Sequence, residues 1–304
     1  MIGALSQDAA IVGWLRIAIG GNCMDHANDE SIAAAISDRA RMTSRPASCG
    51  IAFMAKASAP GRAKTRLVPP LTPAEAADLN TAFLQDVADN VLLASRNATP
   101  EAGIAGYAAF GPPGSEDFFQ RTLPMSIGLI EAWLPNFGDC LLHTIEEIFA
   151  RGHRSAVVLN SDSPTLPTAF LIETAEILAR PGDCAVLGPS GDGGYYLLGL
   201  KAVHRRLFED IAWSTERVAE QTLERAREIG LAVYRLPVWY DVDDAESLRR
   251  LQNELDRPES LRHRLDGYQL HHASQTAALL SRLRNESDLS RRVDGPVQVE
   301  ALRA

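Results

Sequence analysis

Short runs that are apolar at almost every position, separated by segments of helical periodicity, constrain this chain more than any other feature. Residues 155–160 (SAVVLN) form the strongest run. Residues 51–55 (IAFMA), 103–110, 184–187, 195–200 and 231–236 are of the same kind. A strand with one wet face alternates apolar and polar side chains, whereas a strand buried on both faces does not. Strands of this type alternating with helices predict an α/β domain with a largely parallel sheet.

The intervening segments carry helix signals. Thr72-Pro73-Ala74-Glu75 is a capping box with proline at the first helical position. After it Leu79, Phe83, Val87 and Val91 recur every fourth residue, with Leu84 beside them, which gives one apolar helix face. Residues 139–151 read as a helix closed by Gly152, and residues 169–179 as another. Ser214 is placed to cap a helix running to about Ile229, with Gly230 at its end, and Asp243 to Glu246 opens a further one.

The composition excludes several classes. The chain has 304 residues, with 39 acidic and 30 basic, so its net charge is −9. That is the wrong sign for non-specific binding to nucleic acid, which needs surplus Lys and Arg. No apolar run reaches the roughly 20 residues of a spanning helix. Cys23, Cys49, Cys140 and Cys184 lie far apart, with no CxxC spacing. They read as reduced thiols of a cytoplasmic protein rather than as a zinc ribbon or a disulfide scaffold. Only three basic residues are lysines, and two of them, Lys56 and Lys64, fall within one eleven-residue segment. Such a pair points to a place that wants compact ammonium groups rather than planar guanidinium forks.

Residues 1–48 differ from the rest of the chain, and two expectations apply to them: a loosely packed extension, or a true start at Met42. Residues 49–256 carry the strand–helix pattern. Residues 257–304 hold eight Arg against six Asp and Glu, together with His263, His271 and His272. They are expected to be a helical or partly disordered tail with solvated histidines and a helix near 270–283.

Four motifs stand at the ends of the predicted strands, where open α/β sheets bind ligands. The loop after residues 51–55 carries Lys56, Arg62, Lys64 and Arg66 and is bent by Pro60 and Gly61. It suits a polyphosphate, and its plain alternative is a solvated basic loop. It contains neither a P-loop nor a GxGxxG pattern. Asn160-Ser161-Asp162-Ser163-Pro164 comes directly after the strongest strand, where one carboxylate is enough to begin a Mg²⁺ site; alternatively Asp162 caps a turn. Gly191-Asp192-Gly193-Gly194-Tyr195 reads as a turn that brings backbone close to a ligand, or as a simple hairpin. Asp241-Val242-Asp243 offers a second carboxylate facing Asp162, or a helix cap with Glu246. Apart from these four, Trp213-Ser214-Thr215 is a smaller feature that either lines a pocket or packs in the core.

Taken in order, FMAKASAPGRAKTRL, NSDSPTLP, GPSGDGGYYLLGL, WSTERV and W-Y-DVDD-A-E-S-L resemble a bacterial family of GT-A-fold glycosyltransferases typified by the arsenosugar-biosynthesis glycosyltransferase. That family is distantly related to the nucleotidyltransferases for molybdenum cofactor and for 2-phospho-lactate. The resemblance spans about residues 50–252. It implies a nucleotide-diphospho-sugar transferase fold, three-layer α/β/α with a mixed, mostly parallel sheet. By position it implies a phosphate-binding loop of Lys56, Gly61, Arg62, Lys64 and Arg66. It implies a Mg²⁺ or Mn²⁺ site at Asp162 and Asp243, with Asp192 as orienting or basic group. Gly193, Gly194, Tyr195, Trp213, Ser214 and Thr215 are then expected around the substrate.

The resemblance has departures. Where the family often has Gly-Asp-Leu-Gly-Glu-Arg, this chain has Gly138-Asp139-Cys140-Leu141-Leu142-His143, without the Glu and Arg. The expected activity is transfer of a sugar from a nucleotide-diphospho-sugar to a small acceptor. Nucleotidyl transfer from an NTP to a phosphorylated small molecule is the second reading. The loop after the first strand lacks the glycine pair typical of nucleotidyltransferases, which favours the first. A nucleotide-binding protein without turnover is the third.

Overall fold

The computed structural model describes residues 48–256, 267–287 and 289–294. Cys23, Met42, His263 and nearly all of the 1–48 segment lie outside the described residues. Seven strands form one sheet there: β1 (Cys49–Lys56), β2 (Ile104–Gly111), β3 (Gly128–Glu131), β4 (Ser155–Leu159), β5 (Ala185–Pro189), β6 (Tyr195–Leu200) and β7 (Val233–Arg235). The order across the sheet is β3-β2-β1-β4-β6-β5-β7. β1 lies parallel between β2 and β4, with Ile51 opposite Gly106 on one side and Val157 on the other. Only β6 is reversed, antiparallel to both β4 and β5. The expected mixed, mostly parallel sheet is therefore present, and its one reversal is made by the hairpin at Asp192-Gly193-Gly194.

Helices cover both faces and give three layers. On one face α1 (Pro73–Asn97), α4 (Thr168–Ala179), α6 (Ala245–Asp256) and α7 (Ser274–Glu286) pack around Phe53, Val157, Val186 and Leu197. On the other, α3 (Phe137–Ala150) and α5 (Val218–Glu228) pack around Ala52, Val158, Leu187 and Leu198. Successive strand residues thus enter opposite cores, which is why the strands read as continuous apolar runs. The capping box at Thr72 and Glu75 forms, and Leu79, Phe83, Leu84, Val87 and Val91 are all buried. Among the described residues no helix is long and apolar enough to cross a membrane. Cys49, Cys140 and Cys184 are buried free thiols.

Several local expectations differ from what forms. α2 (Glu116–Thr122) and β3 are too short to show a period, and they carry no expectation in the sequence. Ser214 does not cap α5. It adopts a left-handed conformation (φ 64°), and the helix begins four residues later without a side-chain cap. The histidines near 271 do not share one solvated tail either. His271 is buried, with its Nδ1 3.0 Å from the Pro164 carbonyl.

The segment that carries His271 is bound to the core from α1. The buried Asp86 accepts the backbone N–H groups of Gln275 (2.9 Å) and Thr276 (2.8 Å), so α1 supplies the N-terminal cap that α7 lacks in its own sequence. Arg292, in α8 (Leu289–Asp294), grips Glu75 with two hydrogen bonds of 2.8 Å.

These ties have two measurable consequences. Asp86→Ala leaves two helix N–H groups buried without an acceptor and should lower unfolding stability by roughly 2–3 kcal/mol in urea titration, with Asp86→Asn losing less. The hydrogen bonds from Arg292 hold the Glu75 carboxyl down at about 2, from an ordinary value of 4.5. A depressed carboxylate stabilises fully above its unfolded value and loses that contribution as pH falls toward the folded one. Glu75→Gln should therefore destabilise the protein at pH 7, and the difference from wild type should vanish between about pH 4.5 and 2.

Candidate active site

The carboxyl ends of β1, β2 and β4 open into a cleft of about 460 Å³. Its wall is charged at one end and apolar at the other. Lys56, Arg62, Lys64, Arg66, Asp162 and Asp243 line the charged end. Ala109, Ala132, Trp133, Phe137, Cys140 and Leu141 line the other.

Backbone hydrogen bonds assemble the charged end. Val242 donates its N–H to the Asp162 carbonyl (2.8 Å), and the Ser163 hydroxyl donates to the Tyr240 carbonyl (2.8 Å). These bonds stitch the DVDD segment to the loop after β4 across about 80 residues of sequence and bring the two candidate carboxylates together. The cap of α6 is taken by the neighbour of Asp243. Asp244 Oδ1 accepts the Ser247 N–H (2.8 Å), and Ser247 Oγ accepts the Asp244 N–H (3.0 Å). The side chain of Asp243 is thereby left for the cleft, and the capping alternative for it does not hold.

Lys64 lies between the two carboxylates. Its Nζ is 2.8 Å from Asp162 Oδ1, 3.0 Å from Asp243 Oδ1 and 2.8 Å from the Val242 carbonyl. It also lies 5.3 Å from the centre of the Phe83 ring, and its side chain is only 6 % exposed. Arg66 reaches the other oxygen of Asp243 (3.2 Å) from an exposed position. Arg62 and Lys56 line the cleft with exposed side chains, and Gly61 turns the loop at φ 71°. The loop of cations therefore divides: Lys64 faces both carboxylates, Arg66 reaches one of them from the solvent side, and Lys56 and Arg62 remain open to an incoming anion. Asn80 of α1 anchors the start of this loop by donating to the Lys56 carbonyl (2.9 Å) and to Ser58 Oγ (2.8 Å). No sequence signal marks Asn80, which sits on the helix face beside Leu79 and Phe83.

Asp192 stands on the β5–β6 turn. Its Oδ1 accepts from the Gly194 N–H (3.0 Å) and from the Ser190 hydroxyl (2.5 Å), so the hairpin role is fulfilled. Gly193 has φ 89°, and a Cβ there would lie 2.0 Å from the Glu216 carbonyl oxygen, so the turn packs tightly against the segment leading into α5. Neither Asp192, Gly193 nor Gly194 is among the residues lining the cleft, whereas Tyr195 is. The Tyr195 hydroxyl is buried without a hydrogen-bond partner among the described residues, and burial pushes its ionisation well above the ordinary value. Trp213 supports the cleft from behind. Its ring stands edge-on to Phe137 at 5.9 Å, and a Cβ on Gly138 would lie 2.4 Å from its Nε1. Ser214 and Thr215 are exposed outside the cleft, and the Thr215 hydroxyl closes its own turn onto the Ala212 carbonyl. Cys140 and Leu141, in the segment that departs from the Gly-Asp-Leu-Gly-Glu-Arg pattern, line the apolar end.

Asp241 is an acidic residue of this neighbourhood that the motifs alone do not single out as a site. Burial first, then the charges of Asp192, Asp243 and Asp162, push its carboxyl up to about 6. A signal for it exists, because residues i and i+2 of an extended segment share a face, and Asp241 and Asp243 have that spacing.

A divalent ion between Asp162 and Asp243 fits poorly with this arrangement, because the oxygens that would hold it already hold an ammonium group. Among the described residues no three or more His, Cys, Asp or Glu side chains are disposed to hold a metal ion.

The comparisons with known proteins agree with the fold. Residues 96–215 match a family described as "Uncharacterized protein conserved in bacteria (DUF2064)". Among curated proteins none matches the sequence. The crystal structure of a "putative nucleotide-diphospho-sugar transferase" from Desulfovibrio desulfuricans G20 is similar over 81% of this chain and 98% of its own, with 25% identity and a TM-score of 0.67. The chain thus has the nucleotide-diphospho-sugar transferase fold. These likenesses support the general family and do not reach the arsenosugar type. Two further solved structures are more remote. A cytidylyltransferase from Leptospira borgpetersenii is 10% identical over 80% of this chain and 96% of its own, with a TM-score of 0.42. A CMP:2-keto-3-deoxy-manno-octonic acid synthetase is 13% identical over 67% and 97%, with a TM-score of 0.43.

The raised Asp241 carboxyl has a measurable consequence. A carboxylate whose folded pKa is raised costs stability as pH climbs from its unfolded value toward the folded one. Asp241→Asn should therefore stabilise the protein at pH 8, by about 1–2 kcal/mol, and have little effect at pH 4. Thermal or urea unfolding at the two pH values measures this, and an equal effect at both would contradict the assignment.

Proposed function

We propose that this chain is a transferase acting on a nucleotide-diphospho-sugar, and that it moves the sugar to a small acceptor. The observation that carries the reading is the polarised cleft at the carboxyl ends of β1, β2 and β4. There Lys56 and Arg62 face open space, and the exposed Arg66 stands beside them with one contact to Asp243. The likeness to the Desulfovibrio protein over nearly its whole length supports it.

In this reading the guanidinium groups of Arg62 and Arg66 bind the diphosphate in bidentate fashion, and Lys56 adds a point charge. An acceptor hydroxyl oxygen attacks the anomeric carbon, and the bond from that carbon to the phosphate oxygen breaks. The electron pair stays on the phosphate, which leaves as a nucleoside diphosphate, and the hydroxyl proton passes to a base. The cations stabilise the charge that grows on the leaving phosphate. Asp192 and Asp241 are the acidic groups beside the carboxylate pair, and either one serves as the base only if the acceptor hydroxyl comes within hydrogen-bond reach. The apolar end, with Trp133 and Phe137 half exposed at its rim, suits a flat ring or an apolar acceptor.

Nucleotidyl transfer is the second reading of the same cleft, with an NTP bound and pyrophosphate released. Calorimetric titration separates the two. The panel is UDP-, GDP- and ADP-sugars against UTP, GTP, CTP and ATP. Preference for one nucleotide-sugar over its NTP is the expected result, and preference for an NTP would overturn the glycosyl reading. Arg62→Ala and Arg66→Ala should each weaken the preferred ligand by roughly tenfold or more, the size of a charge-assisted hydrogen bond.

A further inference from the structure

Asp162 and Asp243 are placed as a pair that grips a cation, and the cation they grip belongs to the chain. An ammonium group has three N–H donors. The three acceptors of Lys64 are Asp162 Oδ1, Asp243 Oδ1 and the Val242 carbonyl, at 2.8, 3.0 and 2.8 Å. The face of Phe83 closes much of the remaining side. The lysine is therefore saturated where it stands and nearly closed to water.

The backbone is bent to put it there. Lys64 has φ 48° and ψ 40°, a left-handed conformation that residues with a side chain disfavour. Strain of this kind is retained where surrounding contacts over-determine it. A planar guanidinium could not make the same compact three-way contact, and this chain otherwise nearly always uses arginine. A magnesium ion bonds carboxylate oxygens at roughly 2.0–2.1 Å. An ion bridging these two oxygens would fall within the van der Waals volume of Nζ, so the ion and the ammonium exclude each other.

We propose that Lys64 is the resident cation of this site, standing where a divalent ion would stand, and that the nucleotide's phosphates are bound by Arg62, Arg66 and Lys56 without a metal bridge. The second half of this inference rests on the transferase reading; the first half does not. Lys64 neutralises the two carboxylates and holds the DVDD segment against the loop after β4. The outward cations are then left to the ligand.

The test begins with Mn²⁺ alone, titrated into the full chain without nucleotide and read by electron paramagnetic resonance. Wild type should show no saturable site with a dissociation constant below about 1 mM, whereas Lys64→Met should gain one at least about tenfold tighter. The double variant Lys64→Met with Asp162→Asn should lose it again. A wild-type site tighter than about 1 mM that disappears in Asp162→Asn would overturn the proposal, and this comparison needs no variant at Lys64. UDP, GDP, ADP and CDP are then titrated in EDTA and in Mg²⁺. Binding of one of them in EDTA, within about twofold of its strength in Mg²⁺, is expected, while binding that appears only with Mg²⁺ would overturn the metal-free half. If none binds under either condition, the transferase reading fails, and the Mn²⁺ titration still decides the role of Lys64.

Discussion

The ammonium group of Lys64 between Asp162 and Asp243 is the interaction on which the charged end of the cleft depends. Removing it would leave two carboxylates converging at one strand end, with Asp241 and Asp192 behind them adding like charge. Four negative charges in one partly buried place repel, and part of that repulsion already appears in the raised carboxyl of Asp241. One compact cation relieves it at the centre, and Arg66 adds a second from the solvent side. With both present, an anionic ligand approaches a site whose acidic groups are answered from within. Lys56 and Arg62 are then free to meet it.

The cleft is asymmetric in a way that comes from the fold. The loop after β1 brings four cations and the loop after β4 brings Asp162, whereas β2 is followed by Pro112-Pro113-Gly114 and β3 by Ala132-Trp133-Leu134-Pro135. The same sheet edge therefore offers an ionic half and an apolar half. Trp213 and Phe137 support each other across the apolar half, and Gly138 makes room for the indole at a distance no side chain would permit. Cys140 and Leu141 of α3 add a thiol and an apolar side chain to this half.

Much of this architecture was legible in the sequence because burial on both faces leaves a pattern that survives without alignment. The apolar runs located most strands of the sheet to within a residue or two, and Thr72 with Glu75 located the long helix. Short elements escaped, since α2 and β3 span seven and four residues, about two repeats each, too few for a pattern to stand out. Caps were harder. Asp243, the cap expected from the sequence, carries the same side chain as Asp244, and the bonds of Ser247 make Asp244 the cap while Asp243 enters the cleft. Ser214 has the chemistry of a cap but sits in a left-handed turn outside the helix. Four cations in one loop read alike in sequence, yet tertiary contacts turn Lys64 inward and leave Arg62 outward. Asp86, His271 and Asn80 left no local signal, because each acts on a partner far away in the chain.

The long helix α1 joins the stability of the fold to the geometry of the site. One of its faces presents Asn80 to the loop at Lys56 and Phe83 to the ammonium of Lys64. Other positions on it, Glu75 and Asp86, hold the last two described helices. Tyr240 provides a parallel connection on the opposite side. Its hydroxyl donates to the buried Glu254 of α6, and its carbonyl accepts from Ser163. Arg250 lies 3.7 Å from its ring. The DVDD segment is thus braced from α6 and the basic loop from α1. Both helices belong to the same apolar core as α7. A helix held rigid by that core keeps the carboxylates and the lysine in register far better than the exposed loops would alone. The segment after residue 267 therefore acts on the cleft through α1, by fixing the helix against which Lys64 is seated.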